Sequence, residues 1–185
     1  MELWALGKTI DLLKVAYNYE ERGQSIMIFT ANIDDRYEVG TITTRIGISR
    51  ECNTFSNDTN LFYEITKRFS KPDCILIDEC QFLTKSQVKQ LTDIVDLLDI
   101  PVICYGLRTD FKQNFFEGSE ALMRLADKIE EIKTICDCGS KATINMRLVN
   151  GKDTTSGDQI LIGGNDSYKS VCRKCFRKYI ERSKI

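Results

Sequence analysis

Cys74-Ile-Leu-Ile-Asp78-Glu79 closes four consecutive apolar residues with two carboxylates. A run that short and that uniformly apolar suits a strand covered on both faces, as strands of parallel sheets are. Ser25-Ile-Met-Ile-Phe-Thr30 and Pro101-Val-Ile-Cys-Tyr105 have the same character, and Leu3 to Leu6 is a shorter apolar stub. Around them the spacing turns helical. Thr9 to Arg22 sets Leu12, Leu13, Val15, Ala16 and Tyr19 on one face, and Gly23 follows where a helix C-terminus puts a glycine. Lys85 to Leu98 carries Val88, Leu91, Ile94, Val95 and Leu98 behind Thr84, a residue suited to an N-cap. Glu117 to Ile129 aligns Leu122, Leu125, Ala126 and Ile129. Strands separated by helices mean crossover connections, hence an α/β domain with a parallel sheet, expected over residues 1–133. Beyond it the pattern changes to close cysteine pairs, glycines and polar turns, which predict a second, loop-rich unit over 134–185.

The chain has 185 residues, 42% hydrophobic and 29% charged, with 26 basic against 27 acidic side chains. That composition excludes fibrous and disordered classes, and the balanced charge gives no electrostatic footprint for nucleic acid. No apolar run approaches the roughly 18 residues of a membrane span. Met1-Glu2-Leu3-Trp4 has no feature of a signal peptide, so a cytoplasmic protein is expected. There is no histidine, which removes every mechanism that needs a histidine base or ligand. The tail from Lys169 to Ile185 holds seven Lys/Arg and one Glu, either a solvated basic helix end or a phosphate-contacting patch.

Gly7-Lys8-Thr9 stands directly before the first amphipathic segment, as in the second half of a phosphate-binding loop. In such a loop backbone N–H groups and the helix N-terminus hold phosphate oxygens, the lysine adds a point charge and the hydroxyl binds Mg²⁺. Alone the tripeptide reads equally as an ordinary turn. Asp78-Glu79 at the end of an apolar strand about 70 residues later is the Walker B pattern, in which the aspartate faces the Mg²⁺ site. The pair of signals in an α/β context points to nucleotide binding, and Glu79, one residue past the metal ligand, is placed to deprotonate an acceptor hydroxyl. Asp34-Asp35-Arg36-Tyr37, after the second strand, is either a charged turn or a loop that turns an arginine to a transferred phosphate.

Eight cysteines without a secretory signal point to metal binding rather than disulfides. Cys52, Cys74, Cys80 and Cys104 are scattered and read as packing. Cys136-x-Cys138 and Cys172-x-x-Cys175, with 33 residues between the pairs, supply four thiolates, a structural zinc set that leaves no open coordination position. A redox pair is the alternative, but no thioredoxin-like strand and helix surround Cys172.

Taken together these residues resemble the thymidine kinase family of the small, zinc-containing type, in its bacterial branch. The matching stretches are Gly7-Lys-Thr with the helix to Gly23, Ile33-Asp-Asp-Arg-Tyr37, Ile77-Asp-Glu-Cys-Gln-Phe82, Tyr105-Gly-Leu-Arg-Thr-Asp-Phe111, Cys136-Asp-Cys-Gly139 and Ile162-Gly-Gly-Asn-Asp-Ser-Tyr168 running into Val171-Cys-Arg-Lys-Cys175. The resemblance implies a P-loop NTPase-like sheet flanked by helices, with a small C-terminal zinc-binding and lasso unit. It implies phosphorylation of the thymidine 5′-hydroxyl by Mg-ATP, in the cytoplasm, by a homotetramer, with thymidine triphosphate as feedback inhibitor. By the same resemblance Glu79 is the base, Thr9 and Asp78 hold Mg²⁺, and Lys8 and Arg36 steady the phosphoryl group. Asp34 and Gln81 line the nucleotide site. Leu107 and Phe111 wall the thymine pocket with Phe116 in support. Backbone groups of Gln159, Ile160, Leu161, Ile162 and Gly163 read the base beneath a lasso over roughly 152–168, and Tyr168 completes the pocket.

One departure stands out. A full phosphate loop has a glycine five residues before Gly7, where this chain has Glu2. Leu3-Trp-Ala-Leu6 runs straight into Gly7, so about five or six residues of the loop are lacking. Either a loop is closed up in the sequence as written, or it has been deleted, or the protein is a natural variant without activity. The competing expectation is therefore a zinc-ribbon nucleotide-binding protein with little kinase activity.

Overall fold

A computed structural model describes residues 2–3, 8–34, 38–44, 46–163 and 167–182. In chain order the strands and helices are β1 (Glu2–Leu3), α1 (Lys8–Glu20), β2 (Ile26–Ala31), β3 (Thr41–Thr43), β4 (Ser49–Glu51), β5 (Asn53–Phe55), α2 (Leu61–Thr66), β6 (Cys74–Ile77), α3 (Lys85–Leu98), β7 (Val102–Gly106) and α4 (Glu117–Leu125). The C-terminal part adds β8 (Thr134–Ile135), β9 (Lys141–Ala142), β10 (Ile144–Val149), β11 (Lys152–Thr154), β12 (Tyr168–Val171) and α5 (Arg173–Arg182).

The main sheet is parallel throughout, in the order β1-β7-β6-β2-β5. β6 is buried at all four positions, the condition its uniform apolar run requires. One core layer joins Phe29, Ile75, Ile77 and Leu83 to Val88, Leu91 and Ile94 of α3. The opposite layer joins Ile28, Leu76 and Tyr105 to Leu12 and Ala16 of α1. Helices thus cover both faces of the α/β sheet.

α3 begins where the sequence predicts. The Thr84 side chain accepts from Gln87 N–H and Gln87 Oε1 accepts from Thr84 N–H, a capping box that satisfies two otherwise orphaned donors. α4 is shorter than expected. It ends at Leu125, Ala126 takes extended backbone, and Leu125 and Ile129 are about half exposed. Of the expected face only Leu122 is buried, and Ala121 joins it. The hairpin β3–β4, strand β5 and helix α2 are additions to the sequence reading.

The C-terminal part is more regular than a loop-rich unit. β10 is the centre of an antiparallel sheet, β11-β10-β12, and Ile144, Met146, Val171 and Phe176 form a separate small core with Cys136 and Cys172. In α5 Phe176 is buried while Arg173, Lys174, Arg177 and Lys178 are exposed, as a solvated basic helix face would be. Among the described residues no helix is long and apolar enough to cross a membrane.

Candidate functional site

The parallel sheet carries its chemistry at the carboxyl ends of its strands, where α/β folds leave a crevice. β6 delivers Asp78 and Glu79 there, and α1 starts beside them with Lys8 and Thr9. Thr9 Oγ1 donates to Asp78 Oδ2 at 3.3 Å. Lys8 Nζ lies 3.4 Å from Glu79 Oε1, with the two side chains 6% and 10% exposed. Asp78 Oδ1 accepts from the Glu79 N–H at 2.9 Å. Glu79 itself takes left-handed backbone, φ 51°, which turns the chain sharply between strand and the following 3₁₀ turn, Cys80–Phe82.

Gln81 links this cluster to β7. Its Nε2 donates to Glu79 Oε2 at 2.6 Å, and its Oε1 accepts from the Leu107 N–H at 3.0 Å. Gly106 is required by that approach: a Cβ there would collide with Cys80 Sγ and stand 2.8 Å from Gln81 Oε1. Cys80 and Cys104 are fully buried behind the cluster, and burial pushes the Cys80 thiol well above its ordinary value.

These residues form one end of a cavity of about 420 Å³. Lys8, Asp34, Glu79, Gln81 and Leu107 line it on the sheet side. Phe111, Phe116, Gln159, Ile160, Leu161, Ile162, Gly163 and Tyr168 line the other side. Phe116 also packs edge-on against Phe82, with ring centroids 6.0 Å apart. Of the residues singled out from sequence, Gly7 and Arg36 lie outside the described residues.

Three residues to which the sequence reading gave no role organise the far wall. Asp110 is 4% exposed and accepts from Lys112 N–H, Asn114 N–H and Gln159 Nε2, the last at 3.0 Å. Arg147 donates to the carbonyls of Asp158 and Gln159 and to the Tyr168 hydroxyl. Its Cζ stands 3.8 Å from the Phe111 ring centroid. Asn145, also buried, lines the cavity from β10. The one sequence signal was the alternation of Ile144, Met146 and Leu148 with Asn145 and Arg147 along a strand.

The four paired cysteines come together, their Sγ atoms all within 4.8 Å of one another and those of Cys138 and Cys172 3.6 Å apart. Tetrahedral Zn–S bonds of roughly 2.3 Å require sulfur separations of roughly 3.8 Å, so the set fits zinc. The turn holding the first pair is closed by Gly139 N–H to Cys136 C=O at 2.8 Å, with Gly139 at φ 81°. Hydrogen bonds from the Ser140 side chain and backbone bring the Cys138 thiol down to about 6, while the neighbouring Cys138 and Cys172 sulfurs push Cys175 up to about 12. Four sulfurs this close cannot all be thiolates without a cation, and a dication removes that conflict. Ile135 and Asp137, on either side of Cys136, line the cavity, and Asp137 pairs with Lys169. The sulfur cluster therefore stands directly behind the pocket wall.

A lysine and a hydroxyl at a helix start, in contact with a strand-terminal aspartate and glutamate beside a partly apolar cleft, have the layout of a phosphotransferase that acts on a small acceptor. The comparisons narrow that class. The family model described as thymidine kinase matches residues 4–176. A thymidine kinase of Shewanella oneidensis is 53% identical over 177 residues, covering 94% of this chain and 92% of that protein. One of Mannheimia succiniciproducens is 54% identical over 175 residues, covering 93% and 90%. One of Listeria monocytogenes is 54% identical over 171 residues, covering 91% and 90%. This chain belongs to the thymidine kinase family.

Proposed function

We propose that the protein transfers the terminal phosphoryl group of ATP to the 5′-hydroxyl of thymidine. The observation that carries the reading is that Lys8 and Glu79, with the Thr9–Asp78 pair beside them, stand at one end of a cavity whose other wall is Phe111, Tyr168 and the 159–163 segment. The activity named for relatives more than half identical over nearly the whole chain agrees with it. Residues 1–133 act as the phosphoryl-transfer domain and 134–185 as the zinc-binding unit that closes the nucleoside side.

The roles are assigned from position together with the family resemblance. Thr9 and Asp78, already sharing a hydrogen bond, hold Mg²⁺ together with the phosphates of ATP. The metal, when bound, neutralises charge on the phosphate oxygens. Lys8 lies where an ammonium steadies the moving phosphoryl group, a role that the family resemblance also gives Arg36. Glu79 Oε1 takes the hydroxyl proton. Gln81 fixes the carboxylate through Oε2, and Asp34 lines the same end. Leu107 and Phe111 flank the base, Phe116 braces them, and Gln159 to Gly163 with Tyr168 cover it. Cys136, Cys138, Cys172 and Cys175 hold a structural zinc.

A nucleotide-binding protein with little kinase activity is not favoured: the family match spans residues 4–176 and the polar cluster is complete on the described side of the site. Assembly as a homotetramer, inhibition by thymidine triphosphate and a cytoplasmic location extend the same reading. The test is a coupled assay of ADP release with thymidine, each other deoxynucleoside and no acceptor. Release that depends on thymidine supports the proposal; release equal to the acceptor-free rate refutes it.

A further inference from the structure

Arg147 sits on β10 with 3% of its surface exposed, and none of the ion pairs found among the described residues includes it. Burying a guanidinium without a carboxylate is costly unless its donors are satisfied. Here they meet neutral acceptors. Nε and Nη2 donate to the Tyr168 hydroxyl oxygen at 3.1 and 2.6 Å. Nη1 donates to the Asp158 carbonyl at 2.6 Å, and Nη2 to the Gln159 carbonyl at 3.2 Å. The Tyr168 hydroxyl passes the chain on to the Leu161 carbonyl at 2.8 Å. The guanidinium plane covers the Phe111 ring, with Cζ 3.8 Å from its centroid. One side chain thus joins an aromatic wall, a tyrosine and two carbonyls of the covering segment, and through the tyrosine a third.

We infer that Arg147 is the positioning residue of the nucleoside pocket, locking Phe111, Tyr168 and the 158–161 segment into one rigid wall. The inference rests on the proposed function, since it assigns the acceptor nucleoside to that wall. It follows that Arg147 governs nucleoside affinity through groups it holds, while the phosphate-donor end, built on α1 and β6, does not depend on it. A lysine cannot replace it, because three donors on a flexible stem do not reproduce a planar fork that both stacks and bridges.

The experiment measures steady-state kinetics of Arg147→Met, Arg147→Lys and Tyr168→Phe in the zinc-loaded full chain. Arg147→Met keeps the aliphatic cover over Phe111 and removes the donors. Losing two or three hydrogen bonds should raise the thymidine KM by about 30–100-fold. The ATP KM should stay within about twofold, and kcat at saturating thymidine should fall less than the KM rises. Arg147→Lys should resemble Arg147→Met. Tyr168→Phe should raise the thymidine KM, and the double variant should raise it by less than the product of the singles. A merely structural role predicts instead that both KM values rise together with loss of zinc and of thermal stability. That outcome overturns the inference, as does an unchanged thymidine KM, full rescue by lysine, or multiplicative effects. Should Arg147→Met not fold, Tyr168→Phe and Arg147→Lys decide alone: an unchanged thymidine KM in both overturns it. Failure of the wild-type chain to phosphorylate thymidine refutes the proposed function itself and is read before any variant.

Discussion

Replacing Glu79 by glutamine changes one oxygen to an amide in a network whose polarity is fixed. The Leu107 N–H can only donate, so Gln81 must present Oε1 to it and Nε2 to the side chain at position 79. The introduced glutamine must then turn its own carbonyl oxygen to Gln81, which leaves its amide N–H₂ facing Lys8 Nζ where the carboxylate stood 3.4 Å away. At that distance the gross attraction between the charges is about 5 kcal/mol for an effective dielectric of 20. Breaking a buried pair costs about 3–5 kcal/mol when the surviving charge is stranded. Lys8 lines an open cavity and its ammonium can turn toward it, so the net loss of stability should be nearer about 1–2 kcal/mol, a fall in Tm of about 2–8 °C for a chain of this size. The catalytic loss is separate and larger: without a base on the hydroxyl, kcat should drop by about 10²–10⁴-fold. Thymidine affinity should change little, because the wall formed by Phe111, Tyr168 and 158–163 is untouched. Coupled ADP-release kinetics, calorimetric thymidine titration and a thermal melt read the three quantities. A variant whose kcat stays within tenfold of wild type, or whose thymidine affinity falls as steeply as its turnover, would refute the assignment of Glu79 as the base.

Metal analysis of the purified protein should give one zinc per chain, and Cys172→Ser should lose it together with thermal stability; unchanged zinc in that variant would mean the sulfur cluster is not the metal site. Gly106→Ala forces a methyl group against Cys80 and Gln81. It should cost about 1–3 kcal/mol as overpacking, lower turnover by displacing Gln81 from Glu79, and leave zinc content intact. Wild-type turnover in that variant would show that the Gln81 link is dispensable.

Much of the fold was legible because its strands are buried on both sides. Ile26–Ala31, Cys74–Ile77 and Val102–Gly106 declare themselves as apolar runs, and Thr84 marks the start of α3 without help from packing. Where local pattern and tertiary packing disagreed, packing won. Leu125, Ala126 and Ile129 continue a helical spacing, yet the chain turns extended after Leu125. Ser49-Arg50-Glu51 has no hydrophobic alternation and pairs into a hairpin through its backbone, helped by hydroxyl contacts between Thr43 and Ser49 and between Thr44 and Ile48. Lys8, Thr9, Asp78 and Glu79 were readable because strand end and helix start are local events. Arg147 was not: an arginine alternating with apolar neighbours reads as the wet side of a strand, and only the distant 158–161 segment, with Phe111, turns that side dry. Asp110 escaped for the same reason, since its partner Gln159 is remote in sequence.

The manner in which Arg147 is satisfied sets the two ends of the cavity apart in their response to ionic strength. Dissolved ions weaken attraction between full charges and leave hydrogen bonds to neutral acceptors nearly untouched. In the proposed function the end formed by Lys8, Asp78 and Glu79 works with full charges and meets a polyanion, whereas the end held by Arg147 closes on two carbonyls and a phenol. Raising the salt concentration therefore loosens the grip on the phosphate donor while the grip on the acceptor holds. The enzyme's two substrates, measured across a salt series, should part company.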